Sequence, residues 1–164
     1  MKVLIAYSSK YGTTHDCANK LADKLDCMTE VIDVQKSKPD PRVYDAVIIG
    51  GPVYMGKLYK PTAFYCELYK ELLLSKPLGL FICHMDRDRD TDQQIASMYP
   101  PELTEHSQVS KGFGGAYIVS KMNFFYKAII KKAAGVTENK KDIFDVEITS
   151  FAKHFNSIIN CKPE

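Results

Sequence analysis

A run of small and hydroxylated residues follows the first apolar segment of the chain: Ser9, Lys10, Tyr11, Gly12, Thr13 and Thr14. Helical periodicity begins directly after this run. A helix N-terminus offers unpaired N–H groups and the positive end of the helix dipole, and hydroxyls donate further hydrogen bonds to an anion. The spacing fits neither GxxxxGK[ST] nor GxGxxG. The run predicts either a phosphate-binding loop or an ordinary helix cap formed by Thr13 or Thr14.

Alternating apolar segments predict the elements that would position this run. Strands are expected at residues 3–7, 28–34, 45–50, 78–83 and 114–119, and Pro77 precedes the fourth. Helical spacing follows the first, third, fourth and fifth strands and recurs in the last 17 residues, whereas the helix between the second and third strands is weak or missing. Strands that alternate with helices predict an α/β fold of the doubly wound class, with a parallel sheet covered on both faces.

Composition limits the function classes. The chain has 164 residues, which suits a single domain spanning 1–164, and its net charge of +2 argues against a nucleic-acid binder that depends on bulk charge. Its five cysteines include no CxxC pair, so neither a disulfide framework nor a metal site is predicted. The apolar run 3–6 is too short for an export signal. We therefore expect a cytoplasmic protein with reduced thiols.

The run 9–14 after an apolar strand resembles the (S/T)-x-x-G-x-T phosphate loop of flavodoxins. The resemblance implies a five-stranded sheet of order 2-1-3-4-5, with FMN bound at the switch point between strands one and three. Tyr11 stands where the family usually has a third hydroxyl. Lys10 could offset that missing donor with a positive charge.

The resemblance also implies two loops around the isoalloxazine ring. Residues 50–56 resemble the family pattern G-x-(S/P)-x-aromatic-x-G. This resemblance implies that the cofactor is contacted by Pro52, Val53, Tyr54, Met55 and Gly56. Tyr54 would stack on the ring or contact its edge, and the backbone at Gly56 would follow the redox state of flavin N5. The loop after strand four contributes His84, Met85 and Asp86 but lacks the second aromatic residue common in flavodoxins. Either His84 or Met85 borders the ring, or that face is open.

A basic amphipathic stretch at residues 122–134 has two interpretations from its residues alone. It could lie on an anionic membrane surface or hold a partner, or it could pack on the sheet with solvated lysines. Residues 115–142, which include this stretch, resemble the menaquinone-dependent protoporphyrinogen oxidase branch of the flavodoxin superfamily. That resemblance implies peripheral contact with the inner membrane face.

Three functions follow from these patterns. The first is an FMN protein that carries electrons or acts as a small flavin oxidoreductase, with a redox protein or a small-molecule or quinone acceptor as partner. The second is a protoporphyrinogen IX dehydrogenase with a quinone acceptor. The third is a flavin-free interaction module on the same fold. A signalling receiver is disfavoured because Ser8-Ser9-Lys10 replaces the acids such a protein needs after strand one.

Overall fold

A parallel sheet forms the centre of the computed structural model, which describes residues 1–85 and 91–160. Its five strands are β1 (Lys2–Tyr7), β2 (Met28–Asp33), β3 (Ala46–Tyr54), β5 (Leu78–Cys83) and β6 (Val109–Gly112). They lie in the order β2-β1-β3-β5-β6, and the short strand β4 (Lys57–Leu58) pairs antiparallel with the end of β3. The predicted flavodoxin-like order 2-1-3-4-5 is therefore confirmed.

Alternation along the buried strands supplies two cores. Val3, Ile5 and Tyr7 face one side of the sheet, and Leu4 and Ala6 face the other. Helices α1 (Thr13–Ala22) and α7 (Asp145–Asn160) cover the first side. The second side is covered by α2 (Lys60–Leu68), α3 (Lys70–Leu74), α4 (Thr91–Met98) and α5 (Pro101–His106). Continuous apolar runs such as those of β1, β3 and β5 are expected for strands buried on both faces.

The prediction of the fifth strand at residues 114–119 is wrong. The fifth strand of the central sheet is Val109–Gly112. Only its first and last residues are buried, and the two residues between them are polar, so the sequence shows no apolar run there. The chain then turns at Gly114, whose φ is +73°, and leaves the sheet. Strand β7 (Gly114–Tyr117) pairs antiparallel with β8 (Lys140–Ile143) in a separate two-stranded ladder.

Helix α6 (Phe124–Ala134) lies in the segment between β7 and β8. Its N-cap is Asn123, whose side chain accepts a hydrogen bond of 2.8 Å from the Tyr126 N–H. Its C-terminus is closed by Gly135 in the left-handed conformation. The lysines of this helix are exposed, as both interpretations of the stretch expect. Only Ile130 of the helix is buried, so it does not pack on the sheet along a full apolar face. We refer to residues 114–143 as the arm.

Candidate cofactor site

A pocket of about 300 Å³ opens at the carboxyl ends of the central strands. This volume is at the lower end of the range of roughly 300–1,000 Å³ that is typical of small-molecule sites. In doubly wound sheets, ligands bind at this edge, where the strand order reverses. The predicted site residues that line it are Ser9, Lys10, Tyr11, Thr13, Thr14, Pro52, Val53, Tyr54, Met55, Gly56, His84 and Met85. Gly12 does not line it, and Asp86 lies outside the described residues.

The loop between β1 and α1 is held by its own polar groups. Gly12 is the N-cap of α1, with a φ of +100° and no capping side chain. Its N–H donates to Ser9 Oγ at 3.0 Å, and its carbonyl accepts from the Asp16 N–H at 3.1 Å. Neither Thr13 nor Thr14 caps the helix, so the ordinary-cap interpretation is wrong. Gly12 therefore permits the turn through its positive φ without lining the pocket.

Thr14 provides the main indication of a ligand. Its side chain is 1% exposed, and it lines the pocket at the start of α1. Within residues 1–85 and 91–160, no group lies in hydrogen-bonding geometry to its Oγ1, and its interaction with the Cys83 thiol is the smallest of those acting on that thiol. An unpaired buried hydroxyl costs about 1–3 kcal/mol. An anion at the first turn of α1 would accept from this hydroxyl and from the helix N–H groups, so the donor set fits a phosphate.

Lys10 contacts aromatic rings. Its Nζ lies 4.1 Å from the ring centroid of Tyr54, 5.6 Å from that of Tyr59 and 5.9 Å from that of Tyr11. Such a cation–π contact contributes about 0.5–1 kcal/mol at an exposed site. Lys10 therefore orders the aromatic side of the pocket mouth.

Tyr126 joins the arm to this aromatic group. Its ring centroid is 4.8 Å from that of Tyr54 and 6.4 Å from that of Tyr11. Burial, with smaller contributions from Tyr54 and Tyr126, raises the pKa of Tyr11 to about 12. Burial likewise raises the pKa of Tyr126. Both phenols are therefore neutral at physiological pH and present apolar rings with a polar tip.

The loop after β3 is a tight hairpin. Met55 and Gly56 have φ values of +53° and +73° and form a two-residue connection between Tyr54 and Lys57. Two central residues with positive φ define a type I′ turn, which normally favours Asn-Gly or Gly-Gly. A methionine in the left-handed region is uncommon, and its side chain is 57% exposed. The hairpin carries Tyr54 to the pocket.

The loop after β5 forms the floor. His84 is buried, and its N–H donates to the Gly114 carbonyl at 2.8 Å. Gly115 packs so closely that a Cβ there would lie 2.8 Å from the His84 carbonyl carbon. The neighbouring Cys17 thiol, together with burial, raises the pKa of the Cys83 thiol, and a smaller contribution from the Thr14 hydroxyl acts in the opposite direction. The thiol therefore stays protonated, and Cys83 adds no charge to the floor.

The arm and α4 form a wall of the pocket that the sequence patterns did not predict. The arm closes the side that lacks an aromatic residue after β5, and it brings Tyr117 and Tyr126 to the pocket. The helical spacing of residues 126, 129 and 130 was visible, but it did not reveal which surface they cover. The missed lining residues are Cys83, Gln94, Met98, Gly115, Ala116, Tyr117, Met122, Tyr126, Ile129 and Ile130.

Among residues 1–85 and 91–160, no three His, Cys, Asp or Glu side chains are grouped so that they could hold a metal ion. In the same part of the chain, no helix has the length and apolar character needed to cross a membrane.

Solved structures resemble this fold at low sequence identity. Oxidised flavodoxin 1 from Bacillus cereus is 15% identical, with a TM-score of 0.60, and the match covers 99% of this chain and 100% of that one. The Fusobacterium nucleatum flavodoxin bound to flavin mononucleotide is 10% identical, with a TM-score of 0.58 and 97% of each chain covered.

A WrbA-like flavodoxin from Agrobacterium tumefaciens is 18% identical, with a TM-score of 0.59, and the match covers 98% of this chain and 99% of that one. No curated protein matches the sequence. Residues 4–143 match the family described as Flavodoxin domain. The chain belongs to the flavodoxin domain family.

Proposed function

We propose that this chain binds FMN in the pocket at the carboxyl ends of β1, β3 and β5 and transfers electrons through it. The observation that carries the proposal is the buried hydroxyl of Thr14, which lacks a hydrogen-bond partner in residues 1–85 and 91–160. Membership of the flavodoxin domain family and the FMN-bound relative support it. Bound FMN would supply redox chemistry in one- or two-electron steps.

The chain's own residues have separable tasks in this proposal. Thr14 and the first N–H groups of α1 hold the phosphate, while Ser9 fixes the loop through Gly12. Tyr54 and Tyr126 provide flat apolar surfaces for the ring and exclude water from it. Protonated Cys83 leaves the floor without a negative charge that would oppose reduction.

Titration of the ligand-free protein with FMN tests the proposal. We expect the fluorescence of FMN to be quenched as it binds, and its absorbance bands to shift. Riboflavin, which lacks the phosphate, should bind more weakly. Absence of quenching and of any spectral change at micromolar protein would refute the proposal.

The number of electrons transferred in each step distinguishes an electron carrier from an oxidoreductase. A carrier would accept electrons in one-electron steps, whereas an oxidase or reductase would be reduced by two electrons at once. Reductive titration of the FMN-loaded protein, followed by visible absorbance, separates the two. The net charge of +2 provides little field for steering towards a basic partner, which favours a dedicated partner over general carriage.

The protoporphyrinogen alternative depends on the resemblance of residues 115–142. The family match and the solved relatives described above give it no support. A haem-deficient cell that lacks its own oxidase provides its test. Only restoration of growth by this chain would support the protoporphyrinogen alternative.

We also infer that helix α6 docks on an anionic membrane surface. Phe124 and Phe125 are 81% and 79% exposed at its first turn, and Lys127, Lys131 and Lys132 are exposed further along. Lysine is depleted in protein–protein interfaces, whereas lysine combined with exposed aromatic residues is typical of interfacial helices. Each lysine near an anionic leaflet contributes about 1 kcal/mol.

Vesicle sedimentation tests the docking. The protein should pellet with vesicles that contain phosphatidylglycerol and remain in solution with pure phosphatidylcholine. Replacing both Phe124 and Phe125 with Ser should reduce the pelleted fraction, whereas Phe64→Ser, at a 57% exposed position on α2, should not. Equal sedimentation of all three proteins would contradict the inference.

A further inference from the structure

Gln94 is a second buried polar residue in the pocket wall. It lies in the first half of α4, is 8% exposed and lines the pocket between the loop after β5 and the arm. Its neighbour Gln93 has the same chemistry but is exposed. A long amide side chain is normally directed into solvent, so the inward position of Gln94 requires a reason.

The amide oxygen of Gln94 lacks a partner in the described parts of the chain. Among residues 1–85 and 91–160, no group donates a hydrogen bond to Oε1. Native proteins contain only a few such groups, and each one calls for an explanation. Because Gln94 lines the pocket, a molecule bound there is the source of a donor that could satisfy this buried oxygen.

The positions of Thr14 and Gln94 define how such a molecule would lie. Thr14 follows β1 and Gln94 follows β5, and β3 lies between these two strands in the sheet. The two unpartnered oxygen atoms therefore belong to opposite sides of the β3 end. A ligand whose phosphate is held at Thr14 would extend its ring system past Pro52 and Tyr54 towards Gln94.

The chemistry of an amide selects the part of the ring that would meet it. The oxygen accepts from an N–H, and the adjacent NH₂ donates to a carbonyl. The isoalloxazine ring has one matching edge, the imide, in which N3–H lies between two carbonyl groups. We propose that Gln94 is a specificity-determining residue that accepts a hydrogen bond from the imide N3–H of the flavin, an inference that rests on the proposed binding of FMN.

A paired change in protein and ligand tests this contact. FMN and N3-methyl-FMN are titrated into wild type, Gln94→Leu and the matched control Gln93→Leu, with fluorescence quenching as the readout. Wild type should bind N3-methyl-FMN roughly 10-fold more weakly than FMN, because the methyl group removes the donor and leaves the amide unpaired. Gln94→Leu should bind FMN roughly 10-fold more weakly than wild type and lose most of the preference for FMN over its methyl derivative.

The possible outcomes of this experiment distinguish a failure of the proposed FMN binding from a failure of the proposed role of Gln94. If wild type binds neither flavin, the proposed function itself fails. If FMN binds but wild type does not discriminate against N3-methyl-FMN, the role of Gln94 is overturned and FMN binding stands. Equal FMN affinities of the Gln94 and Gln93 variants would overturn it in the same way. The discrimination by wild type needs no substitution, so it is independent of how well a variant folds.

Discussion

Replacing Thr14 with Val should stabilise the ligand-free protein and weaken FMN binding. Valine keeps the branched shape of threonine but removes the buried hydroxyl that has no partner in residues 1–85 and 91–160. Removing an unpaired polar group of this kind is worth about 1–3 kcal/mol in the free energy of unfolding. For a chain of this length, that corresponds to a rise in Tm of roughly 2–10 °C.

The effect on ligand affinity has the opposite sign. A hydrogen bond to a charged group contributes about 1.5–3 kcal/mol, so the variant should bind FMN roughly 10- to 150-fold more weakly. Riboflavin should bind wild type and variant alike, because it has no phosphate to accept from the hydroxyl. The opposite signs distinguish a binding hydroxyl from a purely structural one.

Thermal unfolding followed by circular dichroism gives the stability, and fluorescence quenching gives the dissociation constants. The control is Thr149→Val, at an exposed position on α7 where the hydroxyl donates to the Asp145 carbonyl at 2.9 Å. It should leave FMN affinity unchanged. A Thr14→Val protein that is less stable than wild type without ligand, or that binds FMN as tightly, would refute the reasoning.

Three further predictions concern other parts of the fold. Gly12→Ala should lower the free energy of unfolding by about 1–2 kcal/mol in urea, because a φ of +100° strains any side chain although no atom lies within 4 Å of the added Cβ. Tyr99→Phe should cost about 1 kcal/mol in the same assay, because the buried hydroxyl donates to the Phe81 carbonyl at 2.7 Å. Burial and the hydrogen bond to Glu30 raise the pKa of Tyr44 from 10.0 to about 12, so its stabilising contribution should be present below pH 10.0 and disappear as the pH rises towards 12. Unfolding midpoints measured across that pH range should therefore fall in wild type and stay flatter in Tyr44→Phe.

Local patterns were sufficient to predict the central sheet. Residues 3–7 of the first strand and the strand Leu78–Cys83 form runs without a charged residue, and such runs are typical of strands that are buried on both faces of a parallel sheet. Residues 9–14 could be named as a candidate phosphate loop because they adjoin the first of these strands. Most of the candidate site residues line the pocket, and they lie in short motifs that remain close together in the chain.

The arm could not be predicted because its structure depends on distant pairing. The run 114–119 has the composition of a strand, but the partner of its first four residues is Lys140–Ile143, which begins with three charged residues and shows no strand pattern. Burial of the actual fifth strand depends on β5 beside it and on helix contacts, so Val109–Gly112 shows little apolar pattern. The role of Tyr126 in the pocket depends on the same pairing and was missed for the same reason.

The arm has a consequence for the lifetime of a bound cofactor. Helix α6 covers the pocket but buries only Ile130 fully, and it is attached to the domain through the β7–β8 ladder. A segment with so few buried contacts opens at a small cost in free energy, well below that of global unfolding. Release of FMN past α6 would therefore require only the contacts of this helix to break, while the parallel sheet beneath stays intact.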